Sequence, residues 1–251
     1  MKRAVISTIL TLVYLFSTAQ DLIHVSNHDA ASKIYIAELK KQTEASEADL
    51  ISNSSSNLTD IDGNSYIVVK IGSQYWMAEN LQSTKFTDGT KIPLVSDYKT
   101  WGNLITPGYC WYNNDAGSYR TDYGALYNGF TVSTGKLCPL GWHIPSTEEW
   151  MTLASYCGEK TAGGKLKESS TRYWMNPNTG ATNETGFTAL PGGSRGNLGS
   201  FLDEGLRGHW WSSTEYDKTN ILNNTMGYSY SNVTGSSDHK KSGLSVRCVK
   251  D

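Results

Sequence analysis

Apolar and polar positions are unevenly distributed along this chain, and three stretches differ in kind. Lys2 and Arg3 lead into an uncharged apolar run over residues 4–16, after which come the small side chains of Ser17-Thr18-Ala19 and the polar pair Gln20-Asp21. A basic start, a short apolar stretch and a small-residue boundary form the pattern of a secretory signal peptide, with cleavage expected after Ala19. The run is shorter than the roughly 20 apolar residues a membrane-spanning helix needs. No cysteine lies near the boundary to accept a lipid anchor, and no later run is long enough to span a bilayer, so a mature chain without a membrane span is expected. Residues 29–50 lack Gly and Pro and set Ile34, Ile36, Leu39 and Leu50 among Lys and Glu, which predicts a short polar helix. Ser52-Asn53-Ser54-Ser55-Ser56-Asn57 then reads as a flexible linker. The expected organisation is a signal peptide at residues 1–19, a helix and Ser/Asn linker at 20–58, and one domain at 59–251.

Inside that domain the pattern changes to short strands and turns. Asp62-Gly63 precedes the β-branched run Tyr66-Ile67-Val68-Val69-Lys70-Ile71, and Gly72 separates that run from Tyr75-Trp76-Met77, which predicts a hairpin. One helix is well marked. Ser146 and Glu149 have the spacing of a capping box, Trp150, Leu153, Ala154 and Cys157 recur on one helical face, and Gly158 can end it. Beyond Thr161 helical periodicity fades, and Gly, Asn, Ser and Thr separate aromatic clusters, which predicts long ordered loops over a small sheet.

Composition narrows the function. With 22 Lys+Arg against 24 Asp+Glu the chain has no sustained positive field, which disfavours nucleic acid as a partner. The 38% hydrophobic residues suffice for a core, and 15 Tyr and 8 Trp supply large aromatic anchors. The four cysteines, Cys110, Cys138, Cys157 and Cys248, are too widely spaced for a zinc site, so in an exported chain two disulfides are expected, with all three connectivities open on spacing alone.

Most chemical motifs fail on context. Gly192-Gly193-Ser194-Arg195-Gly196 matches the nucleophile-elbow pattern, but Pro191 precedes it and no helix can follow through Asn197-Leu198-Gly199-Ser200, so it reads as a glycine turn. Asp60-Ile61-Asp62-Gly63-Asn64 resembles the start of a calcium loop but lacks the glycine and glutamate that an EF-hand requires, and an Asp-Gly turn is expected. His143 and His209 fall in no ligand spacing, so no metal and no cofactor is assigned. On a strand, Trp210 and Trp211 would point to opposite faces, leaving one available to be presented outward.

Asp60-Ile61-Asp62-Gly63-Asn64, Lys70-Ile71-Gly72 and Trp76-Met77-Ala78-Glu79-Asn80-Leu81 resemble the Fibrobacter succinogenes major paralogous domain. So do Trp111-Tyr112-Asn113-Asn114-Asp115, Tyr123-Gly124-Ala125-Leu126-Tyr127-Asn128 and Leu137-Cys138-Pro139-Leu140-Gly141-Trp142-His143-Ile144-Pro145. Gly186-Phe187-Thr188-Ala189-Leu190-Pro191-Gly192-Gly193, Trp210-Trp211-Ser212-Ser213 and Ser245-Val246-Arg247-Cys248 continue the series in order. The resemblance implies an α+β, C-type-lectin-like fold: a small antiparallel sheet, one or two helices and long ordered loops, distantly similar to formylglycine-generating enzymes. It also implies a Cys138–Cys248 bridge, since both belong to recurrent motifs, and leaves Cys110–Cys157 by parity. It does not carry activity. The cysteine pair of formylglycine-generating enzymes is missing, only Cys248 standing in that region, and of the calcium-dependent sugar motif of C-type lectins only the partial echo Asn176-Pro177-Asn178 is present.

The expectation is therefore a secreted, non-enzymatic binding module, at the cell surface or in the periplasm, for a glycan or a protein ligand. An enzyme on the same scaffold, oxidoreductase or hydrolase, and a purely structural surface protein are the alternatives. The working surface is expected within residues 192–238, where Arg195, Asp203, Arg207, Trp210, Trp211, Tyr216, Tyr228 and Tyr230 stand among Gly, Ser and Asn. A groove with one flat exposed ring would favour sugar, and a broad apolar patch would favour protein.

Overall fold

The computed structural model describes residues 58–251; the segments expected to form a signal peptide, a lead helix and a Ser/Asn linker lie outside the described residues. β1 (Leu58–Thr59) and β2 (Ser65–Tyr66) pair across the Asp62-Gly63 turn, where Gly63 takes a φ of 85°. The Asp60 carboxylate accepts from the backbone N–H groups of Asp62 and Asn64, the Asn64 amide, and the hydroxyls of Tyr66 and Ser83. Those donors consume the oxygens that a calcium ion would need. β3 (Val68–Ile71) and β4 (Gln74–Met77) make the expected hairpin around Gly72.

The chain then runs through α1 (Tyr98–Asn103), β5 (Tyr109–Cys110), α2 (Ala116–Tyr123), β6 (Leu126–Asn128), α3 (Gly129–Val132) and β7 (Trp142–His143). Next come α4 (Thr147–Cys157) and α5 (Ala162–Leu166). The capping box forms on α4: Ser146 Oγ accepts from the Glu149 N–H, and Glu149 returns the bond to the Ser146 N–H. The helix buries Trp150, Leu153 and Cys157.

The last third departs from the loops expected there. It holds β8 (Gly192–Arg195), β9 (Phe201–Glu204), β10 (Arg207–Glu215), β11 (Asn220–Gly227), β12 (Thr234–His239), β13 (Gly243–Leu244) and β14 (Val249–Lys250). One eight-stranded sheet runs β12-β11-β10-β8-β13-β6-β5 with β9 alongside β8, and a four-stranded sheet runs β3-β4-β14-β7. The fold is α+β, with more helix and a larger sheet than the pattern predicts. The reason is that β10 and β11 are covered on both faces. Trp210 enters a cluster with Trp76, Trp150, Phe187 and Met226, and Trp211 enters another with Tyr127, Ile221, Leu244 and Val246. A strand buried on both faces shows no alternation to read.

Three buried cations hold the irregular segments. The Arg195 guanidinium donates to the carbonyls of Gly199, Val95 and Ser96, between Trp101 and Phe201. Lys167 Nζ donates to the carbonyls of Thr179, Gly227 and Tyr230. Arg247 donates to Asn80 Oδ1 and to the carbonyls of Phe187 and Thr188. Among the described residues none of the three pairs with a carboxylate. Each cation instead satisfies backbone carbonyls that loops leave unpaired, the need that strand ladders meet elsewhere.

Two readings of the chain are corrected here. The Gly192-Gly193-Ser194-Arg195 segment is a strand rather than a turn: the Tyr123 ring lies over Gly192, and a side chain at Gly193 would collide with the Leu202 carbonyl. Cys138 and Cys248 form a disulfide, but Cys110 and Cys157 are free, buried thiols. They belong to different core clusters, so parity did not bring them together. Burial pushes the Cys110 thiol up to about 12.

Candidate functional site

The residues expected on the working surface separate into four groups. Arg195, Trp210 and Trp211 are interior, Arg195 at 1% exposure and both indoles at 0%. Trp210 Nε1 donates to Asn80 Oδ1 at 2.8 Å and Trp211 Nε1 to the Tyr127 carbonyl at 2.7 Å, so neither ring is presented outward. The second core cluster is the physical reason, since it takes the tryptophan that one core would have left exposed. Tyr228 and Tyr230 are half-buried; Tyr228 packs on the cluster around Trp210, and the Tyr230 ring lies over Gly227. Asp203 and Arg207 do meet, at 3.3 Å, and are joined by His209, whose Nε2 lies 3.0 Å from Asp203 Oδ2. The His209 and Arg207 interactions outweigh burial and hold the Asp203 carboxyl below its usual range. That cluster sits at the start of β10. Tyr216, 66% exposed, sits past its other end.

An open groove of about 380 Å³ is lined by Tyr216, by Thr147 of α4, by Leu222, Asn223 and Asn224 of β11, and by Gly235, Ser236 and Ser237 of β12. Its shape follows from local sequence. α4 packs across β10 and β11, and the edge strand β12 carries Gly and Ser at its centre, so the sheet floor beyond the helix is low. The β10 register shifts between Trp211 and Glu215, a bulge at residues 212–214. The bulge docks on the start of α4: the Ser213 N–H donates to the Pro145 carbonyl, the Thr147 N–H donates to Thr214 Oγ1 at 3.0 Å, and the Ser212 and Thr147 hydroxyls share a hydrogen bond at 3.2 Å.

The turn carrying Tyr216 is fixed by its own side chains. Asp217 Oδ1 accepts from the Thr219 and Asn220 N–H groups, and the Asn220 amide and the Thr219 N–H hold its carboxyl down at about 2. The Tyr216 N–H donates to the Asn220 carbonyl at 3.0 Å. The ring is thus displayed on a rigid turn, and little conformational freedom is lost when a ligand covers it. Asn223 is oriented by a bond from its Nδ2 to Asp238 Oδ2 at 2.9 Å. The side chains of Asn224, Ser236 and Ser237 make no hydrogen bond among the described residues.

Of these residues, Tyr216 stands out in the sequence as an aromatic in a polar turn. Thr147, Asn223, Asn224 and Ser237 do not, because Ser, Thr and Asn are common in any surface segment. Two displaced cations lie away from the groove: burial lowers Lys167 to about 8 and Arg247 to about 9, and both are sealed in carbonyl cages. Among the described residues no group of three or more His, Cys, Asp or Glu is placed to hold a metal ion.

No curated protein and no solved structure matches the chain. A family model, the Fibrobacter succinogenes major domain, matches residues 69–250. The matched span runs from β3 to β14 and takes in the Cys138–Cys248 bridge, the capped α4, the Trp210-Trp211 pair with the bulge that follows it, and the groove beside it. On that match the chain belongs to the Fibrobacter succinogenes major domain family.

Proposed function

We propose that this protein is a secreted, non-enzymatic binding module that holds a glycan in the groove beside Tyr216, on a scaffold of C-type-lectin-like type. One observation carries the reading: a single exposed aromatic ring stands over a groove floored by small neutral polar side chains. Sugars present alternating apolar C–H faces and rings of hydroxyls, which an exposed aromatic and amide or hydroxyl groups complement. Export is supported by the signal-peptide pattern and by a disulfide, which persists in oxidising compartments. No helix of the described residues is long and apolar enough to cross a membrane. The binding reading is favoured over catalysis because the groove lining contains no acid, base or thiol beyond the Tyr216 phenol.

The test is Tyr216→Ala measured against glycan arrays and by calorimetry on any hit. Because the ring is exposed, melting should change by less than about 2 °C while affinity falls at least about tenfold. A glycan hit whose affinity is unchanged in Tyr216→Ala would remove the groove from the reading.

A further inference from the structure

The groove's surroundings also specify the charge of its ligand, an inference that rests on the glycan reading above. We infer that the groove takes an uncharged polysaccharide and excludes uronic and sulfated ones. The lining carries no ionised side chain. A helix N-terminus abuts it at Thr147, and such an end ordinarily attracts anions through free N–H groups. Here three of those donors are occupied: the Ser146 N–H goes to Glu149 Oε2 at 2.8 Å, the Thr147 N–H to Thr214 Oγ1 at 3.0 Å, and the Glu149 N–H to Ser146 Oγ at 3.2 Å. An anionic sugar reaching for these three donors would have to displace their bonds, and it would gain no cation in the lining.

The bordering charges point the same way. Glu148 follows Thr147, Glu215 and Asp217 flank Tyr216, and Asp238 holds Asn223. Against these four carboxylates stand Lys218 and Lys240, and Lys240 is already bound to Glu215 at 2.5 Å. An approaching carboxylate or sulfate therefore meets net repulsion, and a neutral chain meets none. The polar groups available in the groove are neutral as well: the Asn224 amide and the Ser236 and Ser237 hydroxyls, next to the apolar Leu222 and the Tyr216 ring. This set recognises hydroxyls and C–H faces rather than acidic groups.

The experiment compares the full mature chain and its Tyr216→Ala variant on paired probes: neutral glucans, mannans, xylans and galactans against polygalacturonate, alginate and heparin. The expected result is Tyr216-dependent binding of one or more neutral probes, with affinity changing less than about twofold between about 50 and about 500 mM salt, because no charge pair is there to screen. Tyr216-dependent binding confined to the acidic probes, or falling steeply with salt, would overturn the inference and leave the glycan reading standing. Absence of binding to every probe, or binding indifferent to Tyr216, would overturn both.

Discussion

Arg247→Ala removes a guanidinium that is 1% exposed and ties the C-terminal segment to Asn80, Phe187 and Thr188. Asn80 Oδ1 keeps a second donor in Trp210 Nε1, so it is not orphaned. The Phe187 and Thr188 carbonyls each lose a charge-assisted bond, at about 1–3 kcal/mol apiece for a buried acceptor left unpaired. The contact of the guanidinium with the Phe187 ring, 4.2 Å from its centroid, is lost as well. Working against this, burial pulls the Arg247 pKa down to about 9, so charge desolvation is relieved on removal. The net cost should be about 3–5 kcal/mol, the sum for two unpaired buried carbonyls and the lost ring contact less the desolvation relieved. For a domain of this size that lowers melting by roughly 10 °C or more. Urea unfolding followed by tryptophan fluorescence measures it directly, with Arg247→Met as the comparison that keeps the stem and deletes the charge. A methionine variant as stable as wild type would show that desolvation cancels the hydrogen bonds, and would refute the view that this cation pins the loops.

Three further outcomes are expected. Cys248→Ser opens a bridge spanning 110 residues, which the chain-entropy account values at about 4–5 kcal/mol, so melting should drop steeply and wild type under strong reductant should match the variant. Mass mapping should find Cys110 and Cys157 as thiols that alkylate only after unfolding; their recovery as a disulfide would contradict the fold. His143 lies between Glu149 Oε1 at 2.8 Å and Asp251 Oδ1 at 2.6 Å; burial disfavours its charged form, but the bonds to Asp251 and Glu149 outweigh this and raise its pKa. A raised folded-state pKa makes the stabilisation complete below the ordinary histidine value near 6.5 and lost as pH climbs through the folded value. Melting curves from about pH 5 to 8 should therefore show a decline that His143→Gln flattens, and an unchanged slope in that variant would sink the assignment.

The parts of this molecule that sequence alone determines are those whose partners lie a few residues away. The Ser146 to Glu149 capping box, the Asp60 to Asn64 turn and the β3–β4 hairpin are all closed by contacts local in the chain, and each forms where the pattern places it. The Cys138–Cys248 bridge came from motif resemblance rather than from spacing, which left three pairings equal. What the tertiary structure decided is which side chains are inside. Trp210 and Trp211 on a strand must face apart, but whether the second face meets solvent or another core depends on α4 and the β3–β4 hairpin, far away in sequence. Arg195 in a polar, glycine-rich segment has the look of a binding cation until Val95 and Ser96, about a hundred residues earlier, supply carbonyls that hold it in the interior. The groove is legible only at Tyr216, because a concavity belongs to no residue: it arises where the start of α4 meets β11 and an edge strand of Gly and Ser, and burial and shape are properties of non-local packing rather than of the order of residues.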